Sequence, residues 1–142
     1  MLHCLCAGGT MNTDGKTTIA QLKEKVRLFV EEREWQQFHT PKNLSMNIVR
    51  EATELMELFM WSDSGSESYK ELEQKRQEVE DEVADVAFGL LNFCMRNNID
   101  LAKAFDKKLA KTEQKYPVDE VKGKNQKYTY YQIKKESGTV KQ

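Results

Sequence analysis

The chain has 142 residues, with 22 Lys and Arg against 23 Asp and Glu. That is the size of one domain, and the balanced charge leaves no global field to attract nucleic acid. The apolar stretches are far shorter than the ~20 residues a membrane span needs and none is free of charge, so neither nucleic acid nor membrane is an expected partner.

Residues 1–16 are weakly apolar but lack a basic n-region and a long h-region, and they read as a disordered segment or a cloning remnant, with Met11 as an alternative start. Apolar residues then recur at helical spacing through about 18–34 (Ile19, Leu22, Val26, Phe29, Val30) and about 43–61 (Leu44, Ile48, Val49, Ala52, Leu55, Met56, Phe59). The glycine- and serine-containing stretch 62–68 reads as a loop. A third helix is predicted from Tyr69 to Asn97, with an exposed polar start and an apolar stripe through Val79, Val83, Val86, Leu90, Leu91 and Cys94. The fourth runs from an Asp100 N-cap to Lys115, turns Leu101, Phe105 and Leu109 inward, and stops before Pro117.

After Val118 the period fades, and 129–142 reads as a flexible tail, leaving 17–128 as the folded domain. The expected fold is all-α, an antiparallel four-helix bundle, and stripes this narrow favour completion of the core as a homodimer or homotetramer. Three cysteines cannot all pair within one chain, Cys4-x-Cys6 has no second Cys or His pair at zinc spacing, and Cys94 falls on an apolar face. A cytoplasmic, reducing location is expected.

Glu51 and Glu54 stand three residues apart, about 60° around a helix, so both carboxylates project from one face. Glu82 and Asp85 repeat that spacing on the next long helix, and an antiparallel hairpin would bring the four to one level. In a chain with 23 acids a single E-x-x-E is usually a solvated face. Two pairs that meet at the edge of an apolar stripe would repel strongly unless protonated or neutralised, and oxygen ligation suits Mg²⁺, with Mn²⁺ as a substitute, rather than zinc. Di-iron carboxylate bundles need Glu-x-x-His motifs, which His3 and His39 do not supply.

The E-x-x-E and E-x-x-D pairs resemble the signature of the MazG-like nucleotide pyrophosphohydrolases. The segment from Glu32 to Leu44, with Trp35, Phe38, His39, Pro41 and Asn43, followed by Leu58-Phe59-Met60-Trp61, is similar to the dCTP pyrophosphatase branch of that family. The resemblance implies hydrolysis of a (deoxy)nucleoside triphosphate to monophosphate and pyrophosphate, with dCTP or a modified pyrimidine deoxynucleotide as substrate and clearance of unwanted nucleotides as the purpose. It implies Mg²⁺ ligation by Glu51, Glu54, Glu82 and Asp85, a general base at Glu51 or Glu54, and a base pocket from Trp35, Phe38, His39, Asn43 and Trp61. Glu57 extends the row as a further ligand or neighbour. Lys108, Lys115 and Tyr116, with Lys127 and Tyr128, are similar to the basic and aromatic elements that grip phosphate. The chain departs from the family at Val26, Gly89 and Thr112, where the branch can carry His, Tyr and Asn. The alternative is a non-catalytic helical oligomeric interaction module.

Overall fold

Side-chain caps set where the helices begin. In the computed structural model, which describes residues 13–125 together with Thr129 and Gln132, Thr18 Oγ1 accepts from the Gln21 amide at 3.2 Å while Gln21 Oε1 accepts from the Thr18 amide at 2.7 Å. This reciprocal capping box opens α1, Ile19–Glu31. Thr40 caps α2, Pro41–Glu57, whose first residue is a proline that forfeits no helical hydrogen bond there. Ser64 caps α3, Gly65–Gln74. Helix α4 spans Arg76–Arg96, α5 spans Leu101–Lys115 behind the expected Asp100 cap, and α6 is a single turn, Val118–Val121. Between α1 and α2, Trp35–Phe38 form a 3₁₀ turn. The fold is all-α, and no strand occurs among the described residues. Nor is any described helix long and apolar enough to cross a membrane.

The predicted third helix is interrupted. Lys75, at φ −109° and ψ 24°, ends α3 and precedes α4. Its amide closes α3 on the Glu71 carbonyl at 2.8 Å, and its ammonium reaches back to the Leu58 carbonyl at 3.0 Å, just past the end of α2. That tertiary bond places a cation on an orphan helix-end carbonyl.

The chain divides at the Ile99/Asp100 junction into two compact units. In the first, α2 packs chiefly on α4, and α1 packs on α4 as well. The α2–α4 pair is antiparallel: Asn92 meets His39, Gly89 meets Ile48, and Glu82 and Asp85 meet Glu51, so the partners rise along one segment as they fall along the other. Among the described residues the buried apolar side chains are Val26 and Val30 from α1, Leu44 from α2, and Val79, Leu91 and Cys94 from α4. Gly89 permits the close approach of α2, since a Cβ there would lie 3.0 Å from Ile48 Cγ1.

The second unit contributes α5 and α6. Phe105 and Leu109, expected to face a core, are 64% and 46% exposed. An apolar row at helical spacing specifies a face that wants cover, not what covers it. The expectations for residues 1–12, Lys127, Tyr128 and most of 129–142 lie outside the described residues.

Candidate functional site

Antiparallel packing of α2 on α4 brings the carboxylates of Glu51, Glu82 and Asp85 together, each offering an oxygen within 4.8 Å of the others. Glu51 is buried, Glu82 half-buried and Asp85 exposed. Burial raises the Glu82 pKa, and the neighbouring charges of Glu54, Asp85, Glu51 and Asp81 raise it further. Its Oε2 is shut off from solvent and has no hydrogen-bond partner. A cluster of hard oxygen donors with one orphaned oxygen fits a divalent cation of the Mg²⁺ or Mn²⁺ type.

Glu54 lies outside this trio. Arg50 Nη1 donates to its Oε1 at 2.7 Å, and Arg50 Nη2 also donates to Glu51 Oε1. Arg50 therefore acts as an internal counter-ion to the α2 acids, although its guanidinium is well exposed and each exposed pair contributes little by itself. The sequence carried the signal, an arginine at i−1 and i−4 of the two glutamates.

Beside the acids is a cavity of about 430 Å³ whose walls include both Glu51 and Asp85. That volume is on the scale of small-molecule sites, roughly 300–1,000 Å³. Trp35 and Phe38 line it from the 3₁₀ turn and Phe88 from α4, and all three offer flat faces. The turn is pinned by several bonds. Asn43 Nδ2 donates to the Phe38 carbonyl at 2.9 Å, Gln37 Nε2 to the Glu34 carbonyl at 2.9 Å, and Arg96 to the Gln36 carbonyl at 3.2 Å. Phe29 stands edge-on to both Trp35 and Phe88, with ring centroids 5.9 and 5.5 Å away, and so links the turn to α4. Glu34, at φ 52°, takes the left-handed conformation that reverses the chain into the turn.

His39, Asn43, Asn47 and Asn92 supply the polar lining. Asn92 is 1% exposed, and its Nδ2 lies 3.1 Å from His39 Nδ1. Burial first, and the nearby Arg96 cation second, push the His39 pKa below its ordinary value, which favours the neutral ring. Among the described residues the buried side-chain oxygens without a partner are Gln36 Oε1, Glu82 Oε2 and Asn92 Oδ1. Such an atom costs about 1–3 kcal/mol relative to one that is satisfied.

The structure thus gathers Glu51, Glu82, Asp85, Trp35, Phe38, His39 and Asn43 around one cavity and its acidic edge. Trp61 lies past the end of α2, is 82% exposed, and is not part of the cavity wall. Lys108 and Lys115 are on α5 and Tyr116 caps it, all in the second unit. Sequence reasoning missed Asn47, Phe88 and Asn92 as cavity residues. Asp85, Phe88, Gly89 and Asn92 follow the i, i+3, i+4, i+7 spacing of one helix face. An amide at the end of that row was the available sign.

Residues 46–130 match the MazG-like family. The chain is 32% identical over 126 residues to dCTP pyrophosphatase 1 of Rattus norvegicus, spanning 87% of this chain and 73% of that one. Against dCTP pyrophosphatase 1 of Homo sapiens the identity is 30% over 124 residues, with 87% and 73% covered. The crystal structure of a pyrophosphatase from Archaeoglobus fulgidus superposes with a TM-score of 0.68 at 36% identity, covering 78% of this chain and 99% of that one.

Proposed function

The chain belongs to the MazG-like family, and from that premise we propose that it hydrolyses nucleoside triphosphates to the monophosphate and pyrophosphate, with dCTP or a modified pyrimidine deoxynucleotide preferred. The observation that carries the reading is that Glu51 and Asp85, two members of the acidic trio, also line the aromatic cavity. Phosphate chemistry and a place for a flat base are therefore adjacent.

Glu51, Glu82 and Asp85 would hold Mg²⁺, with Mn²⁺ as a substitute and Glu54 as the fourth ligand expected from the family pattern. When bound, the cation supplies positive charge against the triphosphate and acidity to a water. Trp35 and Phe38 stack on the base, since every base has a π-face, while His39 and Asn43 address its polar edge. The water oxygen bonds to the α-phosphorus, the bond from that phosphorus to the bridging oxygen breaks, and pyrophosphate leaves. A carboxylate of the Glu51–Glu54 pair takes the water's proton. Support for Glu54 in that role comes from its place beside the trio but outside it: its charge is felt by Glu82, while Arg50 holds its Oε1 at 2.7 Å. Trp61, Lys108, Lys115 and Tyr116 keep their assignments to base and phosphate on the family resemblance and their own chemistry.

The same reading includes a four-helix bundle that assembles as a homodimer or homotetramer. The exposed apolar side chains Met46, Val49, Met56 and Met60 on and just after α2, with Phe105 and Leu109 on α5, support it. Removal of unwanted nucleotides in the cytoplasm is the corresponding role, and the buried free thiol of Cys94 suits a reducing compartment. The test is to incubate purified protein with Mg²⁺ and a panel of ordinary and modified nucleoside triphosphates and measure pyrophosphate. Turnover with a preference among bases is expected. No turnover on any of them refutes the enzyme and leaves the non-catalytic helical module.

A further inference from the structure

Asn92 sits in α4 between Leu91 and Phe93, buried among apolar neighbours, yet it lines the cavity and uses only half of its amide. Nδ2 is tied to His39 Nδ1, while Oδ1 has no donor. An amide that merely filled space would be bettered by leucine, because a buried acceptor without a donor gives up its water and receives nothing in return.

Position along α4 says which cavity this side chain lines. Asp85, Phe88, Gly89 and Asn92 all line the same cavity. Seven residues of helix separate Asp85 from Asn92, a rise of about 10 Å. The acids are at one end of this row and the amide at the other. Phe88 provides a flat face between them and Gly89 a place without a side chain. A nucleotide whose phosphates approach the acids would lay its base toward Asn92, beside Trp35, Phe38 and His39.

We infer that Asn92 and His39 together read the polar edge of the nucleobase, with Asn92 Oδ1 accepting from the exocyclic amine of a cytosine-type base and His39 Nε2–H donating to the adjacent ring nitrogen. The inference rests on the nucleotide function proposed above, and the choice of the amine rests on the dCTP preference within it. The pairing is self-consistent. With Asn92 Nδ2 donating to His39 Nδ1, the single proton of the neutral imidazole must sit on Nε2. The burial and Arg96 charge that disfavour the imidazolium keep the ring neutral, as that pairing requires. Asn92 thus serves twice, orienting the histidine and offering its own acceptor.

The experiment compares kcat/KM for dCTP, for the triphosphate of the 2-pyrimidinone analogue that lacks the exocyclic amine, and for an abasic deoxyribose triphosphate. Wild type, Asn92→Leu and Asn92→Asp are each measured. Loss of one such hydrogen bond corresponds to a decrease of about tenfold. Asn92→Leu is therefore expected to lose about tenfold more on dCTP than on the 2-pyrimidinone, which keeps only the contact of the ring nitrogen with His39, and to lose least on the abasic triphosphate, with a melting temperature no lower than wild type. Asn92→Asp retains an acceptor and faces Nδ1 with oxygen instead of N–H, so it keeps the amine preference and raises the His39 pKa followed by NMR. Equal loss on all three substrates, or no loss on dCTP, overturns the role of Asn92 while leaving the enzyme intact. Failure of the wild type to hydrolyse dCTP at all overturns the nucleotide reading, and this inference with it.

Discussion

Replacing Glu51 by Gln should stabilise the metal-free protein and abolish its stabilisation by Mg²⁺. Oxygens of Glu51, Glu82 and Asp85 lie within 4.8 Å of one another. At that separation two like charges repel by about 0.9 kcal/mol in a medium like water and about 3.5 kcal/mol at an effective dielectric constant of 20. Glu51 experiences two such repulsions and one attraction, to the exposed Arg50, so roughly one repulsive pair is left over. With solvent reaching Asp85 the lower end applies, and we expect a gain of about 1 kcal/mol, or about 2–4 °C in melting temperature for a chain of this size. In wild type, Mg²⁺ at about 100 times its dissociation constant should add about 2.7 kcal/mol. Paired denaturation curves in EDTA and in saturating Mg²⁺ measure both effects. A Glu51→Gln protein that is less stable in EDTA and still gains the full Mg²⁺ increment would show that the three acids are not the metal site.

Glu54→Gln should lower kcat by about 10²–10⁴-fold while preserving most of the Mg²⁺-linked rise in melting temperature, because the ligands Glu51, Glu82 and Asp85 remain and the amide keeps an oxygen at the fourth position; equal loss of both would make it chiefly a ligand. His39 has a folded pKa below its ordinary 6.5, so between those values the unfolded chain binds more protons. Its contribution to stability is present above about pH 6.5 and is lost as pH falls through the folded value, and His39→Gln should flatten that part of a urea-midpoint profile between about pH 7.5 and 5; an unchanged slope would contradict the assignment. Gly89→Ala gains about 1 kcal/mol of helix propensity but sets a Cβ 3.0 Å from Ile48 Cγ1, where overpacking costs about 1–3 kcal/mol. A net loss of up to about 2 kcal/mol is expected, and Ile48→Ala in the same chain should make the Gly89→Ala step favourable.

Features that depend on neighbours in sequence were legible without coordinates. Asp100 reads as a cap because its carboxylate needs only the Lys103 amide three residues on. The pairing of Glu51 with Glu82 and Asp85 followed from helical spacing plus one assumption, an antiparallel hairpin, that the α2–α4 contacts satisfy. Lys75 was different. Nothing local marks it as a break, since lysine is a good helix former, and the bond that accompanies the break goes to Leu58, far back in the chain. Phe88 and Asn92 were obscured for a related reason. Apolar periodicity identifies the inward face of a helix but does not distinguish a packed core from the wall of a cavity, because both exclude water. Only the unmatched oxygen of Asn92 separates the two, and that is a property of its surroundings.

The orphaned acceptors of α4 connect stability to function. Glu82 Oε2 and Asn92 Oδ1 are both buried and without partners, and they stand ten residues, about 15 Å of helix, apart on one element. Left without a donor, each weakens the fold. Glu82 lies in the acidic trio and Asn92 against His39, so each open acceptor belongs to a different end of the same stretch of α4. A cation at one end and a base N–H at the other would satisfy both. Ligand binding would then recover free energy that folding leaves unrecovered, and variants that remove either acceptor, Glu82→Leu or Asn92→Leu, should each narrow the gap in melting temperature between free and liganded protein. If both variants retained the wild-type gap, the two oxygens would be defects of packing and not the two ends of a binding site.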